Sequence, residues 1–496
     1  MSAQATIVKL PKTQSPRPAD SSLMPQRAFF GGGWREGTRE PLVVTNPSTG
    51  EAIGSVPSLG AEETRSAIAA ADAAFGPWAA LLPQQRSAVL RRWYDLIVAA
   101  REDLAIIMTL EQGKPLAEAR GEIDYAASFV EWFAEEAKRI DGEIPMSHLP
   151  NRQMSVRREP VGVVACVTPW NFPCAMITRK AAAALAAGCT VVIRPATETP
   201  FSALALAVLA ERAGFPAGVF NVLTGPSREI VGEMNANSLV RALSFTGSTA
   251  VGKQLVRDSA ATLKRVSMEL GGHAPFIVFA DADLETAVAA AIDAKFQTTG
   301  QDCLAANRIY VQRPIYDAFL SRFVAGVERL RIGDGFQPGV DLGPLMHARA
   351  VDKCIEHVTE AVAQGARLLT GGNASGLFVT PAVLADVTPD MAIFREETFG
   401  PVAAILPFDD EAEVIASAND TEYGLSAYLF TNDHGRICRV SNGLRAGMVA
   451  VNCVKMTGAP IPFGGVRDSG LGREGGRHAI NEFTDIKYVC AAYQPA

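Results

Sequence analysis

The chain has 496 residues, 48% of them hydrophobic, and 46 Lys and Arg against 53 Asp and Glu, for a formal net charge of −7. This length and apolar content suit two to four domains with sizeable cores and exclude general disorder. The mildly acidic balance, with its basic residues scattered, excludes the footprint of a nucleic-acid binder. The longest apolar stretch, Ala181 to Ile193, falls short of the roughly 18 residues a membrane-spanning helix needs.

Eight cysteines without a C-x-x-C pair are too sparse for a disulfide framework and point to a reducing cytoplasm. Six scattered histidines give no metal-site spacing. Residues 1–28, rich in Pro, Ser, Gln and Ala, read as a disordered leader without the apolar stretch of a secretory signal. From Ala61 to Arg139 the pattern predicts Ala- and Leu-rich helices, broken at Gly76-Pro77, Pro83 and Gly113-Lys114-Pro115. Short β-branched runs follow at Val161–Val167, Thr190–Arg194, Val219–Leu223, Ala242–Thr246 and Pro275–Phe279. Most are separated by helical patterns, an alternation that predicts βαβ units and a largely parallel sheet. Beyond Asp281 the alternation restarts, with helices near 284–294, 316–330 and 348–364 and strands near 306–312, 401–407 and 448–452, which implies a second α/β domain.

Four segments carry chemistry. Phe245 to Lys253 is a glycine-containing turn between a strand and a helix, a form that can seat phosphates on backbone N–H groups. Gln254 stands where a P-loop needs Ser or Thr, and no G-x-G-x-x-G is present, so the segment is either an ordinary turn or a variant dinucleotide site. Cys303 follows a small polar loop, Thr298 to Asp302, and a thiolate there suits attack on carbonyl carbon. Glu269 lies between apolar residues and Gly271-Gly272, surroundings that raise a carboxyl toward the range of a general base, although a solvated Glu before a turn is the commoner fate. Thr168-Pro169-Trp170-Asn171-Phe172-Pro173 follows a strand, and a Pro-framed loop of this kind can hold an amide donor rigidly at an oxyanion.

In this order and spacing, with Glu397 in Glu396-Glu397-Thr398-Phe399-Gly400-Pro401, the four segments resemble the aldehyde dehydrogenase superfamily. Asn171 lies 98 residues before Glu269, Glu269 34 before Cys303, and Cys303 94 before Glu397. The resemblance runs from about Phe30 to Cys490. The stretches Asn171 to Lys180, Ser202 to Leu206, Gly470 to Gly475 and Ile486 to Cys490 are similar to the succinate-semialdehyde dehydrogenase branch.

That resemblance implies an α/β fold with a variant Rossmann cofactor domain (29–141 and 160–271), an α/β catalytic domain (272–472) and a β oligomerisation arm (142–159 and 473–496), assembled as a homodimer or homotetramer. It implies Cys303 as nucleophile, Asn171 and the Cys303 backbone N–H as oxyanion donors, and Glu269 as the base that activates water. NADP or NAD would lie against Thr168, Pro169, Trp170, Gly247, Ser248 and Leu270, with Glu397 and Phe399 near the nicotinamide ribose. Arg194 stands where the family usually has Lys, and Thr197 where NAD-preferring members often carry Glu. A guanidinium supplied and a carboxylate removed favour the 2′-phosphate of NADP. For the far carboxylate of a small aldehyde, Arg179 matches the first of the branch's two arginines and Thr457 its hydroxyl. Gln297 occupies the second arginine's place, and Lys455 is either a replacement cation or a solvated surface lysine.

Overall fold

The computed structural model describes residues 15–494. Two open sheets and one long two-stranded pair organise them. The first sheet has eight strands, in the order Gly33–Arg35, Ala28–Phe30, Phe220–Val222, Thr190–Arg194, Val163–Val167, Val240–Thr246, Arg265–Glu269 and Gly470–Leu471. Its five central strands are parallel, and the edge partners Ala28–Phe30 and Gly470–Leu471 run antiparallel to their neighbours. Strands such as Val163–Val167 and Thr190–Arg194 are buried along their whole length, as expected for a parallel sheet covered by helices on both faces.

The second sheet has seven strands, in the order Arg367–Thr370, Ala382–Ala385, Val402–Phe408, Ala306–Gln312, Ala274–Val278, Ser426–Phe430 and Met448–Val451. Only its Arg367–Thr370 edge is antiparallel. Each sheet carries one apolar core on either face. Arg152–Pro160 pairs antiparallel with Thr484–Ala492 along nine residues, away from both sheets. Among the described residues no helix is long and apolar enough to cross a membrane.

Several expectations are corrected. The disordered leader does not extend to residue 28, because residues 15–28 are packed. Leu23 is fully buried, Asp20 caps Ser21–Leu23 and pairs with Arg212 at 2.8 Å, and Arg17 donates to the Ile53 carbonyl at 2.9 Å. The first 14 residues lie outside the described ones. A few buried residues, Pro18, Leu23 and Ala28, with bonds from Arg17, Arg212 and the Asp103 carboxylate, suffice to dock a segment whose composition is otherwise dilute. Gly76-Pro77 does not break its helix, which runs on to Ala79, whereas Pro83 opens the next helix at a position where its missing N–H costs nothing. Gly113, at φ 88°, does end a helix in the left-handed region. Gly470–Leu471, expected in the second domain, instead covers the edge of Arg265–Glu269 in the first sheet. Arg477–Phe483, expected in the arm, packs Ala479, Ile480 and Phe483 into the first core.

Candidate active site

The carboxyl ends of the first sheet's parallel strands converge, as open α/β sheets require of a ligand crevice. Val163–Val167 delivers the 168–174 loop, Thr190–Arg194 ends on Arg194, Val240–Thr246 leads into Gly247-Ser248, and Arg265–Glu269 ends on Glu269. Cys303 sits on the loop entering Ala306–Gln312 of the other sheet. Between the sheets opens a cavity of about 710 Å³, lined by Cys303, Arg179, Gln297, Lys455 and Thr457 among others. One cavity thus brings all four expected tail-binding residues together with the thiol. Glu269 is not on its wall.

Two loops meet beside Cys303. The Asn171 amide nitrogen donates to the Gln301 carbonyl at 3.0 Å, which leaves its second N–H available. The Asn171 carbonyl accepts from buried Lys114 at 2.7 Å, and Lys114 pairs with Glu122 at 2.5 Å. Glu122 in turn accepts from the backbone N–H of Cys174 and of Ala175, fixing the start of the Ala175–Ala187 helix. Gln301 is clamped from the other side by the Met346 N–H at 2.9 Å.

Burial, reinforced by the neighbouring Asp302 carboxyl, pushes the Cys303 thiol well above its ordinary range, with Arg179 pulling the other way. Glu269 is 2% exposed and neither carboxyl oxygen has a protein partner. Burial and the charge of Glu474 push it well above the carboxylate range. Glu474 is buried between two cations, accepting from Arg179 at 2.5 Å and from Lys180. Burial works to raise Glu474, and the Lys180 and Arg179 charges outweigh it, so this carboxyl stays low.

Arg179 also lies 4.0 Å over the Phe463 ring, and Tyr125 lines the same cavity, its phenol pushed up by burial while the Arg179 charge pulls the other way. Thr457 is half-buried, whereas Gln297 and Lys455 are exposed at the cavity wall. The Leu116–Glu136 helix therefore presents Glu118, Glu122 and Tyr125 to the cavity at i, i+4 and i+7, one stripe of its surface.

On the cofactor side, Ser248 caps the Thr249–Ser259 helix without a side-chain bond, leaving the helix start available to an anion. The Gly247 N–H is already taken, donating to the Glu269 carbonyl at 3.0 Å. What Gly247 provides is closeness, since a Cβ there would lie 2.5 Å from the Phe245 ring. Leu270 is buried, donates its N–H to Ser469 and packs against Gly252.

Thr168 Oγ1, Thr246 Oγ1 and Arg194 Nε are buried without a partner, and Arg194 otherwise donates to Thr197 at 2.7 Å. Thr168 and its neighbour Pro169 lead to Trp170, which makes edge contacts with Phe399 and His347 at 5.8 and 5.9 Å. Glu397 accepts from the Gly272 N–H at 3.0 Å, and burial raises its carboxyl to about 7. Free donors and hydroxyls around an open helix start fit a phosphate- and hydroxyl-rich dinucleotide. Glu118, Glu122, Lys114, Tyr125 and Glu474 were not singled out by sequence. The only cues were the Gly113-Lys114-Pro115 break and the position of Glu474 inside the Gly470 to Gly475 stretch.

The model of the "Aldehyde dehydrogenase family" matches residues 34–489. A glutarate-semialdehyde dehydrogenase of Pseudomonas putida is 53% identical over 95% of this chain and 98% of its own. A succinate-semialdehyde dehydrogenase [NADP(+)] of Escherichia coli is 52% identical, again over 95% and 98%. The crystal structure of a succinate-semialdehyde dehydrogenase from Burkholderia pseudomallei superposes with a TM-score of 0.95 at 50% identity, covering 96% of this chain and 99% of that one. The resemblance carried by the four segments is therefore borne out, and the chain is an enzyme belonging to the aldehyde dehydrogenase family.

Proposed function

We propose that the chain oxidises small aldehydes with an anionic tail, succinate semialdehyde or a close analogue, to the carboxylate with NADP⁺ or NAD⁺. The observation that carries this reading is that one cavity is lined by Cys303, Arg179 and Thr457 together. Arg179 takes the far carboxylate while the Cys303 sulfur attacks the aldehyde carbon. The free Asn171 N–H and the Cys303 backbone N–H hold the oxygen of the thiohemiacetal. Bound NAD(P)⁺ supplies the hydride acceptor. Arg194 and Thr197 hold its adenosine ribose, Gly247, Ser248 and Leu270 border its diphosphate, and Thr168, Pro169, Trp170, Glu397 and Phe399 surround the nicotinamide end. Glu269 takes the proton of the water that cleaves the Cys303 thioester, a role helped by a dry environment that makes its carboxylate a stronger base. The Arg152–Pro160 and Thr484–Ala492 pair serves as the arm of a homodimer or homotetramer, and eight unpaired cysteines suit the cytoplasm.

A second reading, a longer or sulfonated tail, is favoured by Gln297. A neutral amide lines the wall where a second cation would grip a short carboxylate, with Lys455 exposed on the same wall. Initial rates with succinate, glutarate and 2-oxoglutarate semialdehydes and a sulfonated aldehyde, each with both nicotinamide cofactors, decide between the two. Full turnover by Cys303→Ser, or only uncharged aldehydes as substrates, would refute both.

A further inference from the structure

Thr298 and Thr299 stand in the left-handed region at φ 50° and 56°, followed by Gly300 at 73°, immediately ahead of Cys303. β-Branched residues rarely adopt that region, and two in succession persist only where their surroundings over-determine them. The downstream half of the turn is tied to the 343–346 segment. Thr299 Oγ1 donates to the Gly343 carbonyl at 3.1 Å, and Gln301 accepts from Met346. The upstream half is tied by one carboxylate. Glu118 Oε1 accepts both the backbone N–H of Thr298, at 2.7 Å, and its hydroxyl, at 2.6 Å. Those two bonds cross 180 residues of sequence.

We propose that Glu118 is a positioning residue for the nucleophile. By holding Thr298 in its left-handed conformation, it sets where the Cys303 sulfur and backbone N–H lie relative to the Asn171 amide. The coupling is direct, because the Asn171 amide nitrogen is itself bonded to Gln301 of the same turn. Glu122, one helical turn after Glu118, fixes the Asn171 loop through Lys114, so both halves of the oxyanion site are referred to one helix. The acceptor oxygen matters here rather than the charge. A glutamine at 118 keeps an oxygen that accepts both bonds, and an alanine removes both. This inference rests on Cys303 as the nucleophile.

Steady-state kinetics of Glu118→Ala, Glu118→Gln, Thr298→Val and Cys303→Ser, with succinate semialdehyde and NADP⁺, test it. Misplacing a reacting group by about 1 Å costs on the order of 10²-fold, so Glu118→Ala is expected to lose roughly ten- to a hundredfold in kcat. KM for aldehyde and dinucleotide should stay within about threefold of the parent. Glu118→Gln should restore kcat, and Thr298→Val, which keeps the backbone bond, should fall between. Should Glu118→Ala not fold, the Thr298→Val and Glu118→Gln pair carries the test alone. Parent kcat in Glu118→Ala or Thr298→Val, or a loss in Glu118→Gln as large as in the alanine variant, overturns the proposal. Turnover by Cys303→Ser would instead remove the nucleophile assignment beneath it. An inactive Cys303→Ser beside a fully active Glu118→Ala would sink this inference alone.

Discussion

Glu474→Gln is a nearly isosteric change with two separable consequences. The carboxylate accepts from Arg179 Nε at 2.5 Å and from Lys180, and its backbone is fixed independently by paired bonds to Phe463 at 2.6 and 2.8 Å. An amide offers one acceptor oxygen, so whichever cation keeps it, the other faces an N–H₂ group in a site where Glu474 is 3% exposed. Losing a charge-assisted hydrogen bond costs about 1.5–3 kcal/mol. Stranding a buried cation brings the total to about 3–5 kcal/mol. Domains are typically stable by about 5–15 kcal/mol, so this is a large fraction. Urea unfolding followed by tryptophan fluorescence should therefore show a clearly lower midpoint.

The second consequence has the opposite sense for Glu269. Removing the Glu474 charge deletes a cause of its raised carboxyl and leaves Arg179 and Lys180 free to stabilise the ionised form. Its folded-state pKa then falls, and the acid limb of the kcat profile, which rises as Glu269 ionises, moves to lower pH. A parent-like urea midpoint together with an unmoved acid limb would refute the reasoning.

Asn171→Ala should lower kcat by about 10²–10³, the roughly 3–4 kcal/mol of one oxyanion donor, and should lower thermal stability modestly through the lost buried bond to Gln301; a kcat within threefold of the parent counts against that assignment. Gln297→Arg should raise kcat/KM for succinate semialdehyde by about tenfold or more, the 1.5–3 kcal/mol of a charged hydrogen bond, and should leave an uncharged aldehyde unaffected. Because burial and Asp302 hold the Cys303 thiol above its usual range, its alkylation by iodoacetamide in the ligand-free enzyme should keep rising with pH beyond the ordinary thiol range, and a plateau near neutral pH would contradict this.

Cys303, Glu269 and Asn171 could be singled out in sequence as candidates because the chemistry proposed for them needs a local environment that a few neighbours spell out. A small polar loop, a double glycine and a Pro-framed turn are each contiguous. The buried strands were legible for the same reason, since a strand covered on both faces must be an unbroken β-branched run. Glu118 and Glu474 were not, because each acts on a partner 180 or 295 residues away and sits in an unremarkable local context. Helical periodicity says that Glu118, Glu122 and Tyr125 share a face; it does not say which loops arrive there. The Gly247 turn differs from the expectation in one respect, admitting the Phe245 ring closely while its own N–H serves the neighbouring strand. The packing of residues 15–28 escaped composition because a few buried residues and bonds to side chains distant in sequence decide it.

The Leu116–Glu136 helix acts as a common datum for two distant pieces of chain. The turn before Cys303 is referenced to it through Glu118, and the Asn171 loop through Glu122 and Lys114. The turn is also held by the 343–346 segment, so a slide of that rod would load the Glu118 bonds rather than carry the turn along. The helix's other faces are packed too, with Phe129, Val130 and Phe133 fully buried. A substitution that shifts those contacts therefore reaches the reacting carbon through the same two tethers.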